Sequence, residues 1–199
     1  MQHRKIRIVL AAFLALLVFG TAVTYVWFIR PLRPLPAGEA DAVIMFGGAG
    51  ERFERAKELV EEQHLAPLLV ISDPTTATAR PPAFEWFCDG RNAPGGTSQP
   101  RTYESLCIDP TPDTTYGEAL AVARLARERG WRRVILVTTT EQGRRARWIT
   151  QRCLSNANGE PDKGVRVDVV TVATDLNRVL RIGYEWAATV GYLVIHRSC

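Results

Sequence analysis

Four polar clusters in this chain have the residue types and spacing to do chemistry. Gly47-Gly48-Ala49-Gly50-Glu51-Arg52 is a glycine-rich run whose backbone N–H groups could cradle an anion, with Arg52 supplying charge. A tight strand-to-helix turn that needs glycine only for steric reasons accounts for the same residues. Asp109, Asp113, Thr114, Thr115 and Glu118 form the second cluster. Thr114 or Asp113 suits a helix N-cap and Glu118 completes a capping box, while three carboxylates and two hydroxyls could equally position a hydroxyl, a water or a cation. The third is Thr138-Thr139-Thr140-Glu141-Gln142-Gly143-Arg144-Arg145. Hydroxyls followed by arginine on a first helical turn fit a phosphate or carboxylate, which guanidinium binds bidentately. Arg144, Arg147 and Arg152 read as a solvated basic face, whereas Arg145 borders apolar Ala146 and Ile149. Thr174, Asp175 and Asn177, the fourth cluster, read as a helix cap.

These clusters need elements to hold them. Ala42 to Phe46, Leu68 to Ser72, Val134 to Thr138 and Val165 to Thr171 are apolar runs of strand length, the pattern of parallel strands covered on both faces. Helical spacing lies between them: Phe53, Ala56 and Val60; Ala119, Val122, Ala123 and Ala126 before a stop at Gly130; Ala146, Ile149 and Cys153. The β-α-β alternation predicts an α/β three-layer sandwich with a mostly parallel sheet, whose ligands sit beyond the carboxyl ends of the strands. A last helix, Leu176 to about His196, places Leu176, Val179, Leu180, Gly183, Trp186, Ala187, Val190 and Leu193 on one face, expected to pack on the sheet. Arg178, Arg181 and Glu185 leave too short an uncharged run for it to be a second span. Residues 73–106, with five prolines and three glycines, fit neither periodicity and read as an irregular insertion.

Ahead of this domain, residues 8–29 are apolar and uncharged, and at 1.5 Å per residue they are long enough to cross a hydrocarbon core of roughly 30 Å. The expected organisation is a basic cytoplasmic leader at 1–7, a transmembrane anchor at 8–29, a Pro-rich spacer at 30–39 and the α/β domain at 40–199. A cleaved signal peptide is the rival reading, with Gly20 and Ala22 as its cleavage site, but the apolar run continues through Val23, Val26, Trp27 and Phe28. The formal charge of +4 comes from the anchor's flanks, Arg4, Lys5, Arg7, Arg30 and Arg33. Without those five the chain has one more acid than base, which removes the electrostatic case for nucleic acid.

Cys88, Cys107, Cys153 and Cys199 contain no CxxC pair, and with only His3, His64 and His196 to join them a metal site is not expected. In an extracytoplasmic domain an even count reads as two disulfides. Of three connectivities, Cys88–Cys107 would staple the insertion and Cys153–Cys199 would tie the last residue to a helix; this is the favoured pairing. Four unpaired thiols in a cytosolic domain is the alternative.

From Ala40 onward the chain resembles the YdcF/SanA/ElyC-like proteins, the bacterial domain of unknown function 218. The resemblance rests on DAVIMFGGAGERFERAKEL, on LLVIS, and on DTTYGEALAVARLARERGW followed by RRVILVTTTEQGRRARWITQRC. The DTTYGEA variant and the trailing Arg152-Cys153 look like the actinobacterial form. The resemblance implies a Rossmann-like sandwich behind one membrane helix and a role in cell envelope or peptidoglycan biogenesis or resistance to wall-directed stress. Family sequences usually carry histidine in a VTS-x-x-H-x-x-RA pattern; here Gln142 stands there, although Arg145 and Ala146 align with the RA. Glutamine orients and hydrogen-bonds but does not shuttle protons near neutral pH.

The leading expectation is a single-pass protein of the cytoplasmic membrane with its C-terminal domain outside. A pocket of Gly47, Gly48, Arg52, Thr114, Thr115, Glu118, Thr138, Thr139, Gln142 and Arg145 would bind a lipid-linked or phosphorylated wall precursor. Glu118 and Gln142 are the residues from which any catalysis would come; the cofactor is unknown, with none strongly implied. A non-catalytic partner docking a wall-synthesis complex through Trp86 and Phe87 is the second expectation. An S-adenosylmethionine-binding enzyme, as one cytosolic relative type resembles, ranks lowest because that cofactor is lacking outside the membrane.

Overall fold

The computed structural model describes residues 2–32, 34–48, 51–73, 87–88, 102–157, 164–174, 177–195 and 199. Among these residues five strands form one parallel sheet: β1 (Ala42–Met45), β2 (Leu68–Ser72), β3 (Glu104–Ile108), β4 (Arg133–Thr139) and β5 (Arg166–Val172), in the order β3-β2-β1-β4-β5. Strand residues alternate between two cores. Val43, Met45, Leu69, Ile71, Ile135 and Val137 pack beneath α2 (Arg52–Glu61), through Ala56, Leu59 and Val60. Ala42, Ile44, Phe46, Val70, Val134 and Leu136 face α3 (Thr115–Arg129) and α4 (Gly143–Ala157), through Val122, Ala123, Ile149 and Cys153. This is the expected Rossmann-like α/β sandwich. Because β1 leads to β2 on one side while the chain later returns to β4 on the other, the carboxyl ends of β1 and β4 bound a topological switch point.

Two sequence expectations need correction. The irregular segment ends before Glu104, not at Leu106, because β3 pairs in full register with β2. As an edge strand, β3 is half-exposed and carries no unbroken apolar run. Its outer end is charged, with Glu104 paired to Arg129, a device that discourages edge-to-edge association. Of residues 74–101, only Phe87 and Cys88 are described; Trp86 lies outside the described residues. Phe87 is buried against Phe53 and Tyr103, on the α2 side of the sheet.

The last helix, α5 (Arg178–Ile195), does not pack its apolar face on the sheet. It lies outside α3 and α4 and turns Glu185, Thr189 and Tyr192 inward. The Tyr192 ring meets Tyr116 of α3 and Trp148 of α4 at 5.9 and 5.2 Å. Val179, Leu180, Trp186, Val190 and Leu193, expected in the core, are exposed. Leu176 and His196 lie outside the described residues.

At the other end, α1 (Gln2–Thr24) continues through a π-helical turn, Tyr25–Ile29, and is long and apolar enough to cross a membrane. The spacer that follows is held to the domain. Arg133 donates through Nη2 to Pro36 O at 2.8 Å and through Nη1 to the carbonyls of Gly38 and Glu39, while its Nε pairs with Asp168 at 2.8 Å. Leu32 and Leu35 pack onto the two cores. The cysteines stand at bonding distance in the favoured pairs, Cys88–Cys107 and Cys153–Cys199, with Cα separations of 5.5 and 4.9 Å.

Candidate functional site

A cleft of about 300 Å³ opens at the β1/β4 switch point, lined by Gly47, Gly48, Asp113, Thr114, Thr115, Glu118, Gln142, Arg145, Arg181, Tyr184 and Glu185. Seven of the ten sequence-predicted ligand residues therefore meet in one place. Local sequence explains the walls. Gly48 has φ +120°, a conformation side-chain-bearing residues rarely adopt, and ends β1 by turning the chain back toward α2. Thr114 is the N-cap of α3, its Oγ1 accepting from Gly117 N at 3.3 Å. Gly117 is required by crowding, since a Cβ there would run into the Pro112 carbonyl oxygen. The Gln142 carbonyl accepts from Ala146 N as α4 begins. Two helices thus begin at the cleft, with their positive dipole ends toward it.

Gln142 organises the floor. Its Oε1 accepts from the buried Thr138 hydroxyl at 2.8 Å, and its Nε2 donates to Thr115 Oγ1 at 2.8 Å. With both amide groups engaged, the Thr115 oxygen receives a hydrogen bond and keeps its own proton to donate toward the cleft. Thr138 therefore acts through Gln142 from beneath the cleft. Thr139 is buried on β4 with no partner for its hydroxyl among the described residues, and it does not line the cleft.

Glu118 is the group best placed to move a proton. Burial pushes its carboxyl up to about 7, although the Gly47 N–H donating to Oε1, the Ser72 hydroxyl and the Arg52 charge pull the other way. Asp113 adds a like charge that raises it further. A carboxyl in this range is shared between acid and base forms at neutral pH, the property a general acid or base needs.

Arg52 is not the anion ligand expected of it. Its guanidinium is almost fully buried beneath the glycine turn, where Nη1 donates to the carbonyls of Phe46 and Gly47. Desolvation lowers it to about 10 against the raising influence of Glu118. It braces the turn, and the space under Gly48 is filled by that guanidinium. Ala49 and Gly50 lie outside the described residues. Arg145 does line the cleft, yet its Nε and Nη2 are taken by Glu185 at 2.7 and 3.2 Å in a buried bidentate pair. Among the described residues, the cleft cation in no such pair is Arg181, which sequence reasoning missed together with Tyr184 and Glu185. The signal was present: Arg181 and Glu185, four residues apart, interrupt an otherwise apolar helix.

A second hollow of about 230 Å³ continues from the first, sharing Asp113, Thr114, Thr115, Arg145 and Tyr184, and runs along α5 past Ile149, Ala188 and Gly191 to Ile195. The composite is polar at the sheet edge and apolar toward the end of α5. Among the described residues, no group of acidic, histidine or cysteine side chains is arranged to hold a metal ion. No protein family, curated protein or solved structure matches the chain in comparisons with known proteins.

Proposed function

We propose that this is a membrane-anchored envelope protein of the YdcF/SanA/ElyC-like type, whose cleft binds a phosphorylated cell-wall precursor or lipid carrier outside the cytoplasmic membrane. The observation that carries the reading is the company Glu118 keeps. A carboxyl titrating near neutrality shares one small cleft with Arg181, Arg145, the Thr115 hydroxyl and the N-termini of α3 and α4. Arginine and helix N-termini favour a phosphate. An arriving phosphate dianion further favours the protonated form of Glu118, which then donates to a phosphate oxygen rather than repelling it. The adjoining apolar hollow accommodates a hydrocarbon portion of the same ligand.

The anchor and the cysteine pairs support the location. Disulfides persist in oxidising compartments, and the apolar α1 holds the domain beside lipid-linked substrates. Docking through the 73–106 region loses support at Phe87, whose ring is turned into the core.

Isothermal titration of the full chain in detergent micelles with geranyl phosphate, and separately with geraniol, tests the ligand class. The phosphate ester is expected to bind at least tenfold more tightly, about 1.4 kcal/mol, and Arg181→Ala to remove most of that preference. Equal binding of the alcohol sinks the phosphate reading. A reporter fused at the C-terminus, with a thiol count on unreduced protein, tests the location. A cytoplasmic reporter with four free thiols overturns it.

A further inference from the structure

Beyond Arg178 the outward face of α5 is apolar, while Glu185 and Thr189 of the same helix point inward. Val179, Leu180, Val190, Leu193, Val194 and Ile195 are 50–78% exposed, whereas Glu185 is 1% and Thr189 8% exposed. A helix of a water-surrounded domain has the opposite arrangement, and an exposed apolar face of this extent marks an interaction surface.

Its position in the fold names the partner. The Trp186 indole Nε1 donates to Thr24 Oγ1 at 3.2 Å, and the Trp186 ring lies 5.3 Å from that of Phe28. Thr24 and Phe28 belong to the closing turns of the apolar N-terminal helix. Thr24 is five residues before Ile29, about 8 Å along the axis at 1.5 Å per residue. The middle of α5 therefore stands level with the end of the membrane-length segment, at the depth of a bilayer interface, where tryptophan is favoured. Arg30, Arg144 and Arg147 gather there too. Arg144 donates to the Arg30 carbonyl at 3.2 Å, and its pKa is lowered by burial and by these two neighbours.

We propose that α5 lies in the plane of the membrane surface, its apolar face among the outer acyl chains and headgroups, as a second lipid contact beside α1. The proposal rests on the reading of α1 as a membrane anchor. Lipid is favoured as occupant because α5 touches the end of the membrane-length helix through Trp186, Thr24 and Phe28, and because the basic cluster beside them suits anionic headgroups. The helix does not cross the bilayer: Arg181 and Glu185 interrupt it, the buried Arg145–Glu185 pair holds its middle, and the Cys153–Cys199 link holds its end.

Reconstitute the full chain in vesicles of phosphatidylethanolamine and phosphatidylglycerol containing a diazirine-bearing acyl-chain lipid. Irradiate, digest, and map lipid adducts by mass spectrometry. Adducts are expected on residues 8–29 and on the outward positions of α5. Label on 8–29 with none on α5 overturns the proposal and leaves the anchor standing. Label on neither overturns the anchor itself. Cross-linking of α5 to a second copy by an added bifunctional reagent, with no lipid label on α5, also overturns the proposal. The exposed double variant Leu180→Glu/Val194→Glu, checked for an unchanged circular dichroism melt, is expected to lose at least fivefold of the α5 label while keeping that on 8–29. Undiminished α5 label in this variant counts against the proposal.

Discussion

The Gln142 side-chain amide nitrogen lies 2.8 Å from the Thr115 hydroxyl oxygen, so one glutamine aims the hydroxyl at the head of a neighbouring helix. Replacing it with leucine strands two buried hydroxyls, those of Thr115 and Thr138. Gln142→Leu is expected to lower stability by about 1–3 kcal/mol, read by denaturant titration, and to weaken phosphate-ester binding as Thr115 loses its orientation. Unchanged stability and binding would show that the network does no positioning.

Glu118 makes stability depend on pH. In the folded chain it keeps its proton up to about 7, whereas the unfolded carboxyl releases it near 4.5. The folded state thus binds more protons between those values, and the contribution of Glu118 to stability is fully present below 4.5 and is lost as pH rises through 7, by roughly 3 kcal/mol. Melting curves of Glu118→Gln are expected to lack this slope. An identical slope in the variant would assign it to another group.

The Arg145–Glu185 pair joins α4 to α5 with both partners almost fully buried. Glu185→Ala leaves a buried, uncompensated guanidinium and is expected to cost about 3–5 kcal/mol. Arg145→Met/Glu185→Leu is expected to recover most of that loss, because two apolar side chains of similar volume replace two desolvated charges. A double variant no more stable than the single one would point to a further partner for Arg145.

Two glycines separate steric need from habit. Gly117→Ala places a Cβ 1.9 Å from a backbone oxygen that cannot swing aside, so the start of α3 and the cleft wall must shift. Gly183, in the interior of α5, meets nothing within 4 Å. Gly183→Ala is expected to raise stability by about 0.5–1 kcal/mol, and Gly117→Ala to lower the melting temperature markedly and abolish ligand binding.

The sheet was legible wherever a strand is buried on both faces, because burial there leaves an unbroken apolar run, as in Leu68–Ser72 and Arg133–Thr139. Glu104–Ile108 escaped notice because an edge strand needs no such run. The cleft residues at strand ends, Gly47, Thr115 and Gln142, were readable from the rule that parallel sheets bind ligands there. Arg181 and Tyr184 were not, since they reach the cleft only through the tertiary docking of α5. Periodicity did identify the apolar face of α5 from Val179 to Leu193, yet it could not say which side of that face holds water. Arg52 shows a similar limit: its place after a glycine turn fits both a ligand and a brace, and only the Phe46 and Gly47 carbonyls decide between them.

The grip of Arg133 on the carbonyls of Pro36, Gly38 and Glu39 changes what the Pro-rich segment is. A slack tether would let the domain tumble above its attachment point and meet ligands by three-dimensional diffusion. A segment fastened along its length works as a bracket, giving the cleft one height and one heading. Under the proposed reading of a lipid-linked ligand, lateral diffusion in the bilayer would become the route by which it arrives, and its two-dimensional density would set the encounter rate. Lengthening the segment on the anchor side of Pro36 would lift the cleft off that plane while leaving every residue of the cleft in place.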